Sequence, residues 1–352
     1  MSLIAQKCRS STFNNTLEMN TFTRGPKVKI FPIIDISKQD IDNYEQMGTK
    51  SKFWYTDKSN DKEYLFKSIH TEDKNQNPII RHGEDWAEKV ACELAELLGI
   101  PHAQYDLAIN GEERGIRSEN FINEGDSLVF GNQLIEHIVI SVLGEQLEKG
   151  QRSQTISRIF VIMEQLISNP PANWKVTENI ISAADVFIGY TMFDAWISNQ
   201  DRHNENWAAI IHKDGTFTLS PSFDHAASLG RNESDEKRKL RLETKDAGQS
   251  VTTYVGKCKS YFYFGHQRLK TLRAFVYLAA MSPNASLEWL DKLEGIADTQ
   301  ISDILDAIPK ESMSDISKQF CLAILKENKK NLLNMRPVIL KNQELKREYD
   351  NK

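Results

Sequence analysis

Residues 197–230 read ISNQDRHNENWAAIIHKDGTFTLSPSFDHAASLG. Asp201 is followed five positions later by Asn206, and a second acidic residue closes the triplet Ser222-Phe223-Asp224. Between them lie WAAIIHK and TFTLS, two apolar-rich runs joined by Asp214-Gly215. Asp-Gly suits the positive φ values of a tight primed turn, so the stretch predicts a β-hairpin. Upstream, Thr177 to Ser198 predicts a long helix. The order is therefore helix, polar loop carrying Asp201 and Asn206, hairpin, and a second Asp at a strand end. A D-x-x-x-x-N string alone says little, because Asp and Asn are ordinary turn-formers. Its combination with the helix, the hairpin and the second Asp carries the weight.

Outward from this stretch the chain divides in two. Residues 1–25 are polar and without period, and read as a flexible arm. Val28 to Ile36 reads as a strand, and Ser51 to Thr56 with Glu63 to Ile69 as a hairpin around TDKSND. Trp86, Val90, Leu94, Leu97 and Leu98 recur at helical spacing, with Gly99 ending the helix and Pro101 preventing its continuation. Ala103 to Ile109, a turn at Asn110-Gly111, and a strand to Phe121 follow. Beyond the central hairpin, Ile301, Ile304, Leu305 and Ile308 share one helical face, and Ile316, Phe320, Ala323 and Ile324 another. The charged stretch 341–352 reads as a frayed or disordered tail. The expected fold is α+β and bilobal: a small β-rich lobe with one helix (26–120), a larger helical lobe (121–340), and a cleft between. A length of 352 residues suits that division and needs no disulfide or metal staple.

The sequence of functional groups matches a protein-kinase template. There, an Asp on a loop accepts or orients the substrate hydroxyl, an Asn five residues later holds Mg²⁺, and a second Asp beyond a hairpin binds Mg²⁺ bridging the ATP phosphates. The strings NQDRHNENW and SFDHAASLG resemble the catalytic and metal-binding segments of the HipA-type kinases, in particular the compact CtkA-like Ser/Thr kinases. The likeness extends to GTKSKFWY (48–55), YLFK (64–67), GEDWAEKVACELAELLGI (83–100), SLVFGNQLI and the helical C-terminus, covering roughly residues 30–335. It implies a HipA-like kinase fold in which the helix over residues 83–100 bridges the lobes. Asp201 would be the catalytic base or hydroxyl-orienting group. Asn206 and Asp224 would be the Mg²⁺ ligands, and Lys67 would contact the ATP phosphates. Glu88 would pair with Lys67, with Glu84 as its rival, and His203 would brace the loop or approach the phosphates. Gly48, Thr49, Lys50, Ser51 and Lys52 would form the phosphate loop, with one glycine where ordinary protein kinases have three. Ser118 to Phe121 would be the adenine-binding linker. Ser228, Ser234 and the charged run from Asp235 to Arg241 occupy the activation-segment position, where a solvated charged face is the plainer reading.

The resemblance implies a kinase using ATP and Mg²⁺ on Ser or Thr of a protein substrate, itself included. A small-molecule or lipid head-group kinase shares the same core chemistry, and an inactive nucleotide-binding module is the non-catalytic alternative. Relatives include growth-arresting toxins paired with antitoxins and secreted effectors, so an antitoxin or other regulator protein is an open partner. Lys plus Arg number 44 and Asp plus Glu 49, a net charge of −5, which gives no support to direct nucleic-acid binding. No apolar run reaches the ~20 residues of a membrane span. Cys8, Cys92, Cys258 and Cys321 have no zinc or redox spacing, and reduced buried thiols fit a cytoplasmic protein, with export as an effector left open. His203, His212 and His225 are not at zinc-site spacings, and no GxxxxGK[ST] is present.

Overall fold

Seven strands form one mixed sheet in the computed structural model, which describes residues 29–44, 50–72, 75, 77–143 and 153–350. They are β1 (Ile33–Asp35), β2 (Asn43–Tyr44), β3 (Lys50–Asp57), β4 (Lys62–Glu72), β5 (Pro78–Ile80), β6 (Tyr105–Asn110) and β7 (Glu113–Glu119), with helix α1 (Glu84–Leu98) between β5 and β6. The order is β1-β6-β7-β4-β3-β2, with β5 added to β4, and only β1–β6 is parallel. Alternation along β3 and β4 sorts their side chains by face. Phe53, Tyr55, Tyr64 and Phe66 are buried together with Ile36 and Ala108. Lys52, Trp54, Leu65 and Lys67 take the opposite face, toward a cleft. α1 lies against β6 and β7. Gly99 ends it in the left-handed region (φ 75°), where its N–H reaches the carbonyls of Ala95 and Glu96. The expected N-terminal arm lies outside the described residues, and the strand expected over Val28 to Ile36 spans Ile33–Asp35.

The rest is mainly helical. It holds β8 (Ser127–Phe130), α2 (Gly131–Leu143), α3 (Ile156–Val161) continued by a π-helical turn to Ile167, α4 (Ala183–Ile197), β9 (Ala208–Ile211) and β10 (Phe217–Leu219). Next come α5 (Asp235–Glu243), α6 (Val251–Val255), β11 (Lys259–Phe264), β12 (Gln267–Lys270) and α7 (Thr271–Ala279). The chain ends in α8 (Pro283–Glu294), α9 (Asp298–Ala307), α10 (Asp315–Leu333) and α11 (Arg336–Asp350). Every residue of α4 is buried, as expected of a helix apolar on all sides at the centre of a core. α4 packs against α7, α8 and α10. Gly189 lets the Trp289 ring approach to where a Cβ would stand 2.4 Å from it. One continuous apolar core joins Trp86 and Leu94 of α1 to α4, Trp207, Trp289 and α10, so the helical part and α1 share their packing.

Four expectations change. The helix expected from Thr177 begins at Ala183, because Ser182 caps it: its Oγ accepts from Asp185 N–H at 3.2 Å while the Asp185 carboxylate accepts from Ser182 N–H at 3.0 Å. The β9–β10 turn is one residue longer than a primed two-residue turn. His212 N–H donates to Thr216 O, leaving Lys213-Asp214-Gly215 as the loop, with Gly215 at φ 83°. The charged stretch from Lys341 continues as helix α11 to Asp350. The run expected to be a solvated face forms α5 and buries Arg238, which bonds Asp235, Ser317 Oγ and the carbonyls of Gly230 and Arg231.

Candidate active site

A cleft of about 580 Å³ opens between the cleft face of β3, β4 and β7 and the loops around α4 and the β8–β9–β10 sheet. Asp201, His203, Asn206 and Asp224 line it together with Lys52, Lys67, Ser118 and Phe121. These residues lie up to 172 positions apart in the chain, from Lys52 to Asp224, and the fold brings them to one cavity. Gly48 and Thr49 lie outside the described residues. Lys50 and Ser51 fall in β3, which carries their backbone toward the same sheet.

The loop after α4 is held by a buried arginine. Arg202 Nε and Nη2 donate to both carboxylate oxygens of Asp194, one turn before the helix ends. Nη1 donates to Asn206 O at 3.1 Å, and Nη2 also to Ser222 Oγ at 2.9 Å. The guanidinium thereby ties α4, the Asn206 backbone and the segment leading to Asp224 into one unit, and it meets Asp194 in the bidentate geometry Arg forms best. Within the loop, Asn206 Nδ2 donates to Asp201 O at 2.6 Å, and the Asp201 N–H donates to Asn199 Oδ1 at 3.1 Å. His203 Nδ1 accepts from Glu205 N–H at 3.1 Å, a bond within the loop.

Asp224 sits in the left-handed region at φ 57°, which Asp tolerates better than most residues. Its N–H donates to the buried Tyr105 hydroxyl at 3.2 Å, and burial pushes that phenol's pKa well above its ordinary value. Lys67 stands 3.7 Å from the Asp224 carboxylate. The expected Lys67–Glu88 pair is not formed. Glu88, 1% exposed, accepts the His225 N–H at 2.7 Å and lies 3.6 Å from His225 Nδ1. Glu84 is also engaged elsewhere, 2.7 Å from Arg231. The reason is backbone demand: the buried N–H after Asp224 needs an acceptor, and Glu88 supplies it. Ser222 Oγ, which accepts from Arg202, is also hydrogen-bonded to His225 Nε2 at 2.7 Å.

The end of the cleft near β7 is apolar. Leu65, Phe121, Leu128, Phe130 and Phe223 line it, with Phe121 stacked on Phe223 at 6.2 Å and Phe130 edge-on to the same ring. The lining also carries charge, with Arg81, Glu84 and Arg231 beside the lysines. Burial lowers the Arg231 pKa, and Glu84 opposes that shift. Such a cavity can hold a molecule with one flat apolar end and one anionic end. For a cation, Asn206 has its amide nitrogen committed to Asp201 O, which leaves Oδ1 as the acceptor, and Asp224 supplies a carboxylate. Among the described residues no three His, Cys, Asp or Glu side chains cluster to hold a metal by themselves. Two protein oxygens completed by phosphate and water suit Mg²⁺, so the residues fit that ion.

Sequence reasoning missed Arg202, Asp194, Tyr105, Ser222 and the anchoring role of His225. One signal was available. Asp194 is a carboxylate inside a helix that is otherwise nearly all apolar, and such a group needs a partner, which Arg202 eight positions later provides.

No curated protein sequence matches the chain. Among solved structures, the proinflammatory kinase CtkA of Helicobacter pylori is similar with a TM-score of 0.67 and 18% identity, over 88% of this chain and 99% of that one. HipA of Shewanella oneidensis MR-1, determined with HipB and its operator DNA, is similar with a TM-score of 0.51 and 12% identity, over 86% of this chain and 67% of that one. At these identities the likeness establishes the fold, which is kinase-like. The HipA-like C-terminal domain matches residues 45–271, a span that contains the cleft from Lys52 to Asp224. Because that match covers more than half of the sequence, the chain belongs to the HipA-like C-terminal domain family.

Proposed function

We propose that this protein is an ATP- and Mg²⁺-dependent protein kinase that transfers the γ-phosphate to Ser or Thr hydroxyls, its own included. The observation that carries the proposal is the convergence of Lys67, Asp201, Asn206 and Asp224 on one cleft, with the loop between them fixed by Arg202. In this reading the apolar end takes the adenine. Lys67 and Lys52 contact the phosphates, and Asp201 orients the attacking hydroxyl. Asn206 and Asp224 hold Mg²⁺, which supplies neutralisation of charge on the phosphates. Catalysis of this kind rests on positioning and electrostatics more than on covalent chemistry by the protein.

The likeness to a HipA determined with HipB supports a regulator or antitoxin protein as a further partner, with the net charge of −5 arguing against direct contact of this chain with DNA. No helix among the described residues is long and apolar enough to cross a membrane. A cytoplasmic site of action accords with that and with the buried free thiols of Cys92, Cys258 and Cys321.

The test is incubation with γ-labelled ATP and Mg²⁺, with and without protein acceptors, followed by mass-spectrometric mapping. Phosphate on Ser or Thr is expected. Asp224→Asn, which keeps a residue tolerant of the left-handed region, should lower transfer at least about a hundredfold without changing thermal unfolding. Wild-type transfer by Asp224→Asn, or products confined to small molecules, would overturn the assignment.

A further inference from the structure

From Ala247 to Leu287 the chain contains no Asp or Glu, yet it carries Lys257, Lys259, Arg268, Lys270 and Arg273. In a protein of net charge −5 this is a concentrated basic segment. It folds as the β11–β12 hairpin with its flanks, and among the described residues none of these five cations forms an ion pair. Lys259 stands directly opposite Lys270 in the antiparallel register, so two like charges face each other on one side of the ladder. That arrangement costs stability unless an anion relieves it. Tyr261 is two residues from Lys259, and the Arg268 guanidinium stacks over its ring at 4.3 Å.

The hairpin adjoins the catalytic loop. The His203 ring meets Tyr261 edge-on at 5.6 Å, and Gln200, next to Asp201, accepts the Lys259 N–H through Oε1 at 3.3 Å. His203 and Asp201 both line the cleft. A chain presenting a hydroxyl to Asp201 can therefore continue over Tyr261 and between Lys259 and Lys270.

We propose that this face of the β11–β12 hairpin is the docking surface for an acidic segment of the protein substrate, adjacent in sequence to the Ser or Thr that is phosphorylated. The proposal rests on the protein-kinase reading above and adds the charge class of the substrate. Charge complementarity selects an acidic occupant, and contact with the catalytic loop selects one joined to the acceptor hydroxyl. A peptide is favoured over nucleic acid because the chain as a whole is acidic.

The test measures binding directly, so it does not depend on catalysis. Fluorescein-labelled peptides with one central Ser, flanked by Glu, by Ala-Gly or by Lys residues, are titrated with the protein by fluorescence anisotropy. A single-stranded oligonucleotide of the same charge is the fourth probe. The Glu-flanked peptide should bind best, with affinity falling as salt rises. Lys259→Glu/Lys270→Glu, two exposed positions, should weaken it about tenfold or more and leave the Ala-Gly peptide and thermal unfolding unchanged. Equal binding of all peptides, no effect of the double substitution, or tighter binding of the oligonucleotide would overturn the proposal. The labelled-ATP assay on the same proteins separates the two claims: acidic-peptide binding without transfer keeps the docking surface and defeats the kinase reading. Where transfer occurs, the double substitution should raise KM for the acidic peptide and leave kcat and the KM for ATP unchanged.

Discussion

Replacing Arg202 by Met removes the side chain that joins α4 to the loop carrying Asp201 and Asn206. Arg202 is 2% exposed and Asp194 6%, so the substitution strands a carboxylate in the core with Asn199 Nδ2 as its remaining side-chain donor at 2.9 Å. Breaking a buried pair from one side costs about 3–5 kcal/mol, because the orphaned charge keeps its desolvation penalty. At about 1.4 °C per kcal/mol for a chain of 352 residues, the melting temperature should fall by roughly 4–7 °C. Asp194→Asn should do comparable harm by stranding the guanidinium. The double variant has no buried charge left, and the amide oxygen that replaces the Asp194 carboxylate can still accept from Asn199. It should therefore recover about 2 kcal/mol or more relative to the sum of the single effects. Its activity should not recover, since the bonds to Asn206 O and Ser222 Oγ are gone in either case. The assay is a four-protein cycle by urea unfolding, with phosphate transfer measured below the lowest melting temperature. A loss under about 1 kcal/mol for Arg202→Met, or a double variant no better than additive, would refute the view that a buried charge pair holds this loop.

Lys67→Met should lower transfer at least about a hundredfold, whereas Glu88→Gln, which still accepts from the His225 N–H, should stay within about tenfold of wild type. Equal damage in steady-state kinetics would mean that Lys67 and Glu88 pair during turnover. Burial pushes the Cys92 and Cys321 thiols up to about 12 from the ordinary 9.0. The folded state thus holds these protons while the unfolded state releases them. Stability is full below about pH 9 and falls toward pH 12, by up to about 1.4 kcal/mol per pH unit for each thiol. Urea unfolding between pH 8 and 10.5 should show this slope, and Cys321→Ala should reduce it by one thiol's share.

The sheet and the main helices were legible because their side chains repeat at two or at three to four residues. α1 carries an apolar stripe, and β3 and β4 alternate between a buried aromatic face and the cleft face. α4 was legible as a helix, but its start was not, because it is apolar all round and gives no face to phase. Its beginning is fixed by a reciprocal bond between Ser182 and Asp185. In the cleft, Asp201, Asn206 and Asp224 could be picked out because their chemistry depends on spacing along one continuous stretch. The partner of Glu88 could not. It depends on which buried N–H lies nearest once α1 has packed, and that N–H belongs to His225, 137 positions away. The cleft-lining position Ser118 was reachable from the strand ending near Phe121, whereas Tyr105, on the neighbouring strand, becomes part of the site only through the β6–β7 register that places it opposite Ser118.

That register also exposes a pattern in the charges. Among the described strand pairs, like charges stand directly opposite each other at two places, Lys52–Lys67 and Lys259–Lys270. Each opposition is unfavourable by about 0.2–1 kcal/mol. Elsewhere opposite charges meet, as at Asp57–Lys62 and Asp106–Arg117, so the chain is able to avoid the cost. In both exceptions the ladder is irregular beside the lysines, between Lys50 and Lys52 and between Lys259 and Tyr263. The first pair faces the cleft, where Lys67 leans on Asp224 across 3.7 Å. A partly exposed ion pair at that distance is worth about 0–1 kcal/mol, so an incoming phosphate can displace it at little cost. The second pair lies beside the loop that carries Asp201, where the Lys259 N–H donates to Gln200 Oε1. If the nucleotide's phosphates enter at the first pair and an acidic acceptor chain at the second, as proposed above, each lysine pair would meet an incoming anion.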